Sequence, residues 1–266
     1  MKIVVDMGGT KTFIATSDGK EITNLTMMKT PKKMSEFYEM FNKINEYSKY
    51  SKILNIAIPG RVDSNGRTIL IPNVNLKNFN LVRPFTKNFG SINIQNDVFC
   101  GSLNIIYDDN VKNSLLINWG SGIGGAIIID GKIYTGNGNA GEIGHISFGN
   151  RDIESYIGGM YIKKNYGYHG EELHIMAERG EKIALEIFKK IGKKFGYFLR
   201  SMVYIFDPDS IYLFGSFLNS WPFMEDPVKE ILETYSRDVR INIINDKHYI
   251  IKGCYYLDEY LKNKKV

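Results

Sequence analysis

The stretch "LLINWGSGIGGAIIIDG", Leu115 to Gly131, sets Gly120, Gly122 and Gly125 in the G-x-G-x-x-G spacing of a dinucleotide-binding turn. That spacing holds a pyrophosphate only where a strand leads in and a helix leads out, because the helix N-terminus meets the phosphates. Leu115-Leu116-Ile117 reads as a buried strand. After the turn comes Gly125-Ala126-Ile127-Ile128-Ile129, rich in β-branched residues and closed by Asp130-Gly131, which predicts a second strand and a tight turn. The context is strand–turn–strand, and a Rossmann site is excluded.

The N-terminal stretch "IVVDMGGTKTFIATSDG", Ile3 to Gly19, aligns with this one without a gap at a constant offset of 112 residues. Asp6 falls on Asn118, Gly8 on Gly120, Asp18 on Asp130 and Gly19 on Gly131. Two ordinary hairpins with Gly-rich turns would show the same pattern. Their equivalent places in two halves point instead to a duplicated domain, with a phosphate-binding turn in each half and the two facing across a cleft. Glycine suits that work because, without a Cβ, it lets backbone N–H groups come close to phosphate oxygens.

Outward from the hairpins, the first half predicts a strand at 21–28 and a helix near 34–49, where Met34, Phe37, Tyr38, Phe41 and Ile44 recur at helical spacing. "KILNIAIPG" is a further strand, and "INIQND" another, followed by an apolar helix from Val98. The second half predicts helices near 152–166, 171–179 and 181–205, the last burying Ile183, Ile187, Ile191, Phe195, Phe198 and Leu199. "SIYLFGS" is a strand; a helix near 226–236, a strand at 241–245 and a helix near 254–263 close the chain. Strands and helices alternate after each hairpin, the pattern of two α/β domains with mixed sheets. We place them at residues 1–110 and 111–266.

With 266 residues the chain can bury two moderate cores. No apolar run approaches the roughly 20 residues of a membrane helix, so no membrane role is expected. Cys100 and Cys254 are the only cysteines, too few for a disulfide framework, which points to the cytoplasm. A net charge of +5 is modest, and the lysines of 189–194 and of "KNKK" read as solvated faces rather than a nucleic-acid footprint. Walker A and H-E-x-x-H are both absent, and His145, His169, His174 and His248 have no metal-ligand spacing.

"DMGGTKT" at 6–12, "IPGRVD" at 58–63, "IQNDVFCGSL" at 94–103, "WGSGIGGAIIIDGKIYTGNGNAGEIGH" at 119–145, "ESYIGG" at 154–159 and "LFGSF" at 213–217 occur in this order. Together they resemble the ROK family (repressors, open reading frames, kinases), across nearly the whole chain. The resemblance implies an actin-like, ribonuclease H-like fold and an ATP-dependent sugar kinase that uses Mg²⁺ and forms homodimers. It implies that Asp6 holds Mg²⁺, that Gly8, Gly9 and Thr10, with Lys11 beside them, line the ATP phosphates, and that Gly120, Ser121 and Gly122 cradle them from the other domain. Gly215 matches the turn beside the adenosine. Asp97 matches the catalytic base, while Gly60, Asn73, Asn96, Glu142, His145 and Glu154 match residues that touch the sugar.

Elementary chemistry agrees with that assignment. Phosphoryl transfer asks for positioning, charge stabilisation and one base on the acceptor hydroxyl. An aspartate ending a strand suits the base, and it equally suits a helix N-cap. Glu142 and His145 can likewise be a loop's own hydrogen-bonding pair. Two departures stand out. The family often carries a Cys-rich zinc loop after its Gly-His, whereas here "ISFGNRDI" runs from His145 to Glu154 without a cysteine, so no zinc is expected. "FGS" also replaces a usual pair of glycines at 215–216. A hexose or an N-acylhexosamine such as N-acetylmannosamine fits the acidic and amide ligands. Arg61 in "PGRVD" is a candidate partner for a carboxylate, which makes a sugar acid such as 2-keto-3-deoxygluconate the alternative, against a plain solvent-facing turn residue. A sugar-responsive repressor needs a DNA-binding helix-turn-helix, and the first strand begins within five residues of Met1, leaving no room for one before it. An ATPase acting without a sugar is a third reading, and Glu142, His145 and Glu154 speak against it.

Overall fold

A computed structural model of the chain describes residues 1–62, 68–70, 78–233 and 239–264. The chain forms two compact units, Met1–Asn110 with Asp246–Val266, and Val111–Asn245.

The first unit opens with an antiparallel meander of β1 (Lys2–Met7), β2 (Lys11–Ser17) and β3 (Ile22–Lys29). Ile3, Val4 and Val5 are all fully buried, a run that needs cover on both faces of the sheet. α1 (Met34–Glu46) supplies part of that cover with Phe37, Met40, Phe41 and Ile44. Tyr38 and Met34, expected on this stripe, are 59% and 37% exposed, and Met40 joins the buried stripe from its other side. β4 (Ile53–Ile58) then pairs parallel with β1. A small hairpin of β5 (Arg61–Val62) and β6 (Thr68–Leu70) precedes β7 (Ser91–Asn96), which pairs parallel with β4. The sheet order is β3-β2-β1-β4-β7. α2 (Asp97–Asn104) leaves β7 without a loop, and a π-helical turn over Ile105–Asp109 ends at Asn110 in the left-handed region, φ 52°.

The second unit repeats the plan. β8 (Ser114–Trp119), β9 (Ile123–Ile129) and β10 (Lys132–Tyr134) form its meander, and Asp130 and Gly131 turn β9 into β10 with φ of 51° and 72°. A two-residue hairpin turn of this hand requires positive φ at both positions, which Asp-Gly tolerates. A hairpin of β11 (Ser147–Phe148) and β12 (Arg151–Asp152) leads into α3 (Glu154–Ile157), α4 (Gly159–Tyr166), α5 (Gly170–Glu178) and α6 (Lys182–Phe206). The single helix expected over 152–166 is two, because Gly158 adopts an extended ψ of 140°. α6 buries Ile187, Ile191, Phe195, Phe198 and Leu199 as expected, but Ile183 sits in its first turn and is 49% exposed. β13 (Ser210–Phe214) pairs parallel with β8, and α7 (Glu225–Leu232) leads to β14 (Arg240–Ile243), parallel with β13. A Cβ at Gly192 of α6 would lie 2.8 Å from the Met224 carbonyl oxygen, so glycine lets α6 pass close to the start of α7. The order β10-β9-β8-β13-β14 matches the first sheet strand for strand. The duplication legible in two hairpins therefore extends to five strands in each unit.

The last segment corrects the expected division of the chain. Asp246–Val266, assigned from sequence to the second domain, belongs to the first unit. α8 (Tyr249–Cys254) packs on α2, β1 and β4, and α9 (Leu257–Asn263) on β4 and β7. The attachment is polar as well as apolar. The buried Asp258 pairs with Lys2 at 2.7 Å and accepts from Asn55 Nδ2 at 3.1 Å, while the same amide reaches the Cys254 carbonyl at 2.9 Å. Burial alone would push the Asp258 carboxyl up; Lys2 and Asn55 hold it below the usual range.

Candidate functional site

In the first unit the site begins at Asp6, the penultimate residue of β1, which is half-buried in register with Phe13 of β2 and Ala57 of β4. The turn Gly8-Gly9-Thr10 follows. A Cβ at Gly8 would meet the Lys11 carbonyl oxygen at 2.9 Å, whereas Gly9 opens onto space with no atom within 4 Å. Thr30, which sequence reasoning did not single out, fixes this turn. Its hydroxyl donates to the Gly8 carbonyl at 2.6 Å and its backbone N–H to the Thr10 carbonyl at 3.0 Å, while the hydroxyls of Thr12 and Thr30 lie 3.0 Å apart. A rigid turn with exposed Gly9, Thr10 and Lys11 can present backbone N–H groups to an anion.

At the end of β7, Asn96 and Asp97 divide two jobs. Asn96 is the N-cap of α2: its Oδ1 accepts from the N–H groups of Val98 (2.9 Å) and Phe99 (3.1 Å). Its Nδ2 donates to the Gly60 carbonyl at 3.0 Å, and Gly60 has φ 93°, so this amide ties β7 to the turn that carries Arg61. The cap role open to Asp97 from sequence therefore falls to its neighbour. Asp97 is the first helical residue, half-buried, with Oδ1 accepting from the Val98 N–H at 2.8 Å. Its charge reaches Asp6, whose carboxyl is pushed up to about 7, by burial first and by Asp97 second. Both carboxylates thus gather where the parallel strands of the unit end, the place where open α/β sheets bind ligands. Among the described residues no three His, Cys, Asp or Glu side chains form a metal cluster. A pair of carboxylates fits a Mg²⁺ that keeps most of its waters and substrate oxygens. Asn73 lies outside the described residues. Cys100 and Cys254 are buried free thiols in this unit, and burial first, then the neighbouring Cys254, pushes the Cys100 thiol well above its ordinary range.

In the second unit the turn Gly120-Ser121-Gly122 is braced from behind. Gly159 and Met160, at the start of α4, donate to the carbonyls of Gly120 (3.0 Å) and Ser121 (2.8 Å). A Cβ at Gly159 would sit 2.6 Å from the Gly120 carbonyl oxygen, which accounts for the second glycine of "ESYIGG". Glu154 Oε2 accepts from the Ile123 N–H at 2.7 Å, so this carboxylate holds the same turn from its other end. Gly215, φ 120°, follows β13 beside it, and any Cβ there would strike Asn118 and Trp119. The hydroxyl of Ser216 lies 3.7 Å from where a Gly120 Cβ would be, so the serine borders the phosphate turn.

Gly141 and Gly144 press the "GEIGH" loop onto β9, where a Cβ at either would collide with backbone of Gly125 or Ile123. Glu142 and His145 are left exposed at its surface, and His145 Nδ1 lies 3.2 Å from Asp152 Oδ2. That bond raises the His145 pKa most, with Glu154, Asp152 and Glu142 adding their charge. Asp152 was missed from sequence; the signal was an acid two residues before Glu154 at the end of a short hairpin. The unit therefore brings together Gly120–Gly122, Glu142, His145, Glu154 and Gly215, and the first unit brings together Asp6, Asn96, Asp97 and Gly60.

The sequence profile of the ROK family matches residues 2–248. An N-acetyl-D-glucosamine kinase of Aliivibrio salmonicida is 25% identical over 73% of this chain and 76% of its own. An N-acetylglucosamine repressor of Escherichia coli is 23% identical over 61% of this chain, which spans 48% of the repressor's length. Among solved structures, a ROK family glucokinase of Streptomyces griseus in complex with glucose and AMPPNP superposes with a TM-score of 0.79 at 18% identity, covering 98% of this chain and 99% of its own.

Proposed function

The chain belongs to the ROK family, and on that premise we propose that it is an ATP-dependent sugar kinase, with Asp97 as the base that takes the proton of the attacking hydroxyl. The observation that carries the reading is the division of labour at the end of β7. Asn96 caps α2, so Asp97 is not needed as a cap, and its charge stands beside Asp6 at the strand ends. A base worth about 10²–10⁴-fold in rate needs such a position within reach of the acceptor. Asp6 would hold Mg²⁺, which when bound neutralises charge on the transferring phosphoryl group. The turns at Gly8–Thr10, with Lys11, and at Gly120–Gly122 would each offer backbone N–H groups to phosphate oxygens, and Gly215 would leave room for the adenosine.

The sugar would be held by the acceptors Glu142, His145 and the free oxygen of Glu154, together with Gly60, Asn73 and the second N–H of Asn96 as a donor. A hexose or an N-acylhexosamine such as N-acetylmannosamine fits that set. Arg61, half-buried next to Gly60, keeps a sugar acid as the alternative. The relatives include a repressor, so a sugar-responsive regulator is the reading from another class. The same proposal has the protein working as a cytoplasmic homodimer without zinc or nucleic acid. An ATP-coupled screen of neutral hexoses, N-acylhexosamines and sugar acids tests it. ADP release that depends on one of these sugars is the expected result; release without any sugar, or none at all, contradicts it.

A further inference from the structure

We infer that Asp152 is the positioning residue of His145, fixing the ring so that Nε2 accepts a hydrogen bond from a sugar hydroxyl; the inference rests on the sugar-kinase reading above. The hairpin of β11 and β12 folds directly back on His145, with Ser147 opposite Asp152 and the Ile153 N–H bonded to the Ile146 carbonyl at 3.1 Å. That return fixes the Asp152 carboxylate at two points. Oδ1 accepts from the Ser155 N–H at 2.8 Å, and Oδ2 faces His145 Nδ1 at 3.2 Å. A carboxylate can only accept, so Nδ1 carries the proton and the neutral ring turns the lone pair of Nε2 outward.

With the ring neutral, Nε2 joins two carboxylates as a third acceptor. Glu154 has Oε2 engaged by the Ile123 N–H at 2.7 Å, and Glu142 stands exposed on the same loop. Hydroxyl protons are donors that such a group of acceptors can share, and one imidazolium among them would reverse the role of Nε2. Asp152, Glu154 and Glu142 all favour the protonated ring, and its pKa lies above the ordinary value. Sugar KM should therefore rise as pH falls through that raised pKa, because Nε2 then becomes a donor.

Asp152→Asn separates this role from a merely structural one. The Ser155 N–H needs an oxygen, so the new amide turns its NH₂ toward Nδ1 and forces the proton onto Nε2. We expect sugar KM to rise about tenfold, the loss of one hydrogen bond, with kcat and ATP KM little changed. The rise at low pH should also disappear. In a His145→Ala background the same substitution should add nothing. Nitrogen-15 shifts of the imidazole, read without sugar, should show Nδ1–H in the unsubstituted protein and Nε2–H in the variant. An unchanged tautomer, an unchanged sugar KM, or an equal further loss in the His145→Ala background overturns the inference. If the unsubstituted chain phosphorylates no sugar, the kinase reading has failed and the tautomer measurement still decides whether Asp152 sets the ring.

Discussion

Asp6 carries a stability cost that its position explains. Burial, reinforced by the charge of Asp97, moves its carboxyl from an ordinary 3.8 to about 7. Between those values the folded protein holds a proton that the unfolded chain has released, so stability falls as pH rises through that window. Above pH 7 both states are ionised and the full cost, about 4 kcal/mol, is present. Asp6→Asn should therefore melt higher than the unsubstituted protein in the absence of nucleotide, by a margin that widens from pH 5 to pH 8. A margin independent of pH would show that the carboxylate is not strained. Whether Asp97, which follows Asn96, serves as the cap of α2 was open in the sequence for a physical reason. Both residue types cap well, and a helix boundary read from periodicity drifts by a residue or two. The non-helical backbone of Asn96, φ −59° and ψ 146°, and the two N–H groups its Oδ1 accepts assign the cap.

At the scale of elements, the phosphate-type turn of the second unit depends on the helix behind it. Gly159→Ala sets two effects against each other. Helix propensity favours alanine by up to about 1 kcal/mol, while a Cβ 2.6 Å from the Gly120 carbonyl oxygen forces the turn and α4 apart, at about 1–3 kcal/mol. Sterics should win: the melting temperature is expected to fall and ATP KM to rise more than sugar KM. A higher melting temperature with unchanged ATP KM would mean that the turn does not lean on α4. "ESYIGG" was visible as a motif, but its reason was not, because the demand for glycine comes from a segment some forty positions earlier in the chain. The hairpins themselves were legible, since β-branched apolar runs and Asp-Gly turns are local signals. The break at Gly158 was not, as a glycine inside an apolar pattern reads equally as tolerated helix.

For the whole molecule, the last segment shows where order along the chain misleads. The alternation of strands and helices identified two α/β units, yet nothing local in Tyr249–Asn263 says which sheet it covers. Its partners are Lys2 and Asn55, both more than two hundred positions away. Asp258→Ala removes the acceptor that buries these groups, and breaking such a buried pair typically costs about 3–5 kcal/mol. Urea unfolding followed at Tyr255 or Tyr256 should show that loss, and an unchanged midpoint would mean that the Asp258 pairs do not hold the segment. The central claim is that Asp97 takes a proton from a sugar hydroxyl, and one variant of the full chain tests it most directly. Asp97→Asn keeps the side chain's shape, and because Asn96 caps α2 the melting temperature should hold. With ATP, Mg²⁺ and the best sugar, kcat should fall by about 10²–10⁴-fold, the worth of a general base. A folded Asp97→Asn protein that turns over at nearly the original rate would contradict the account.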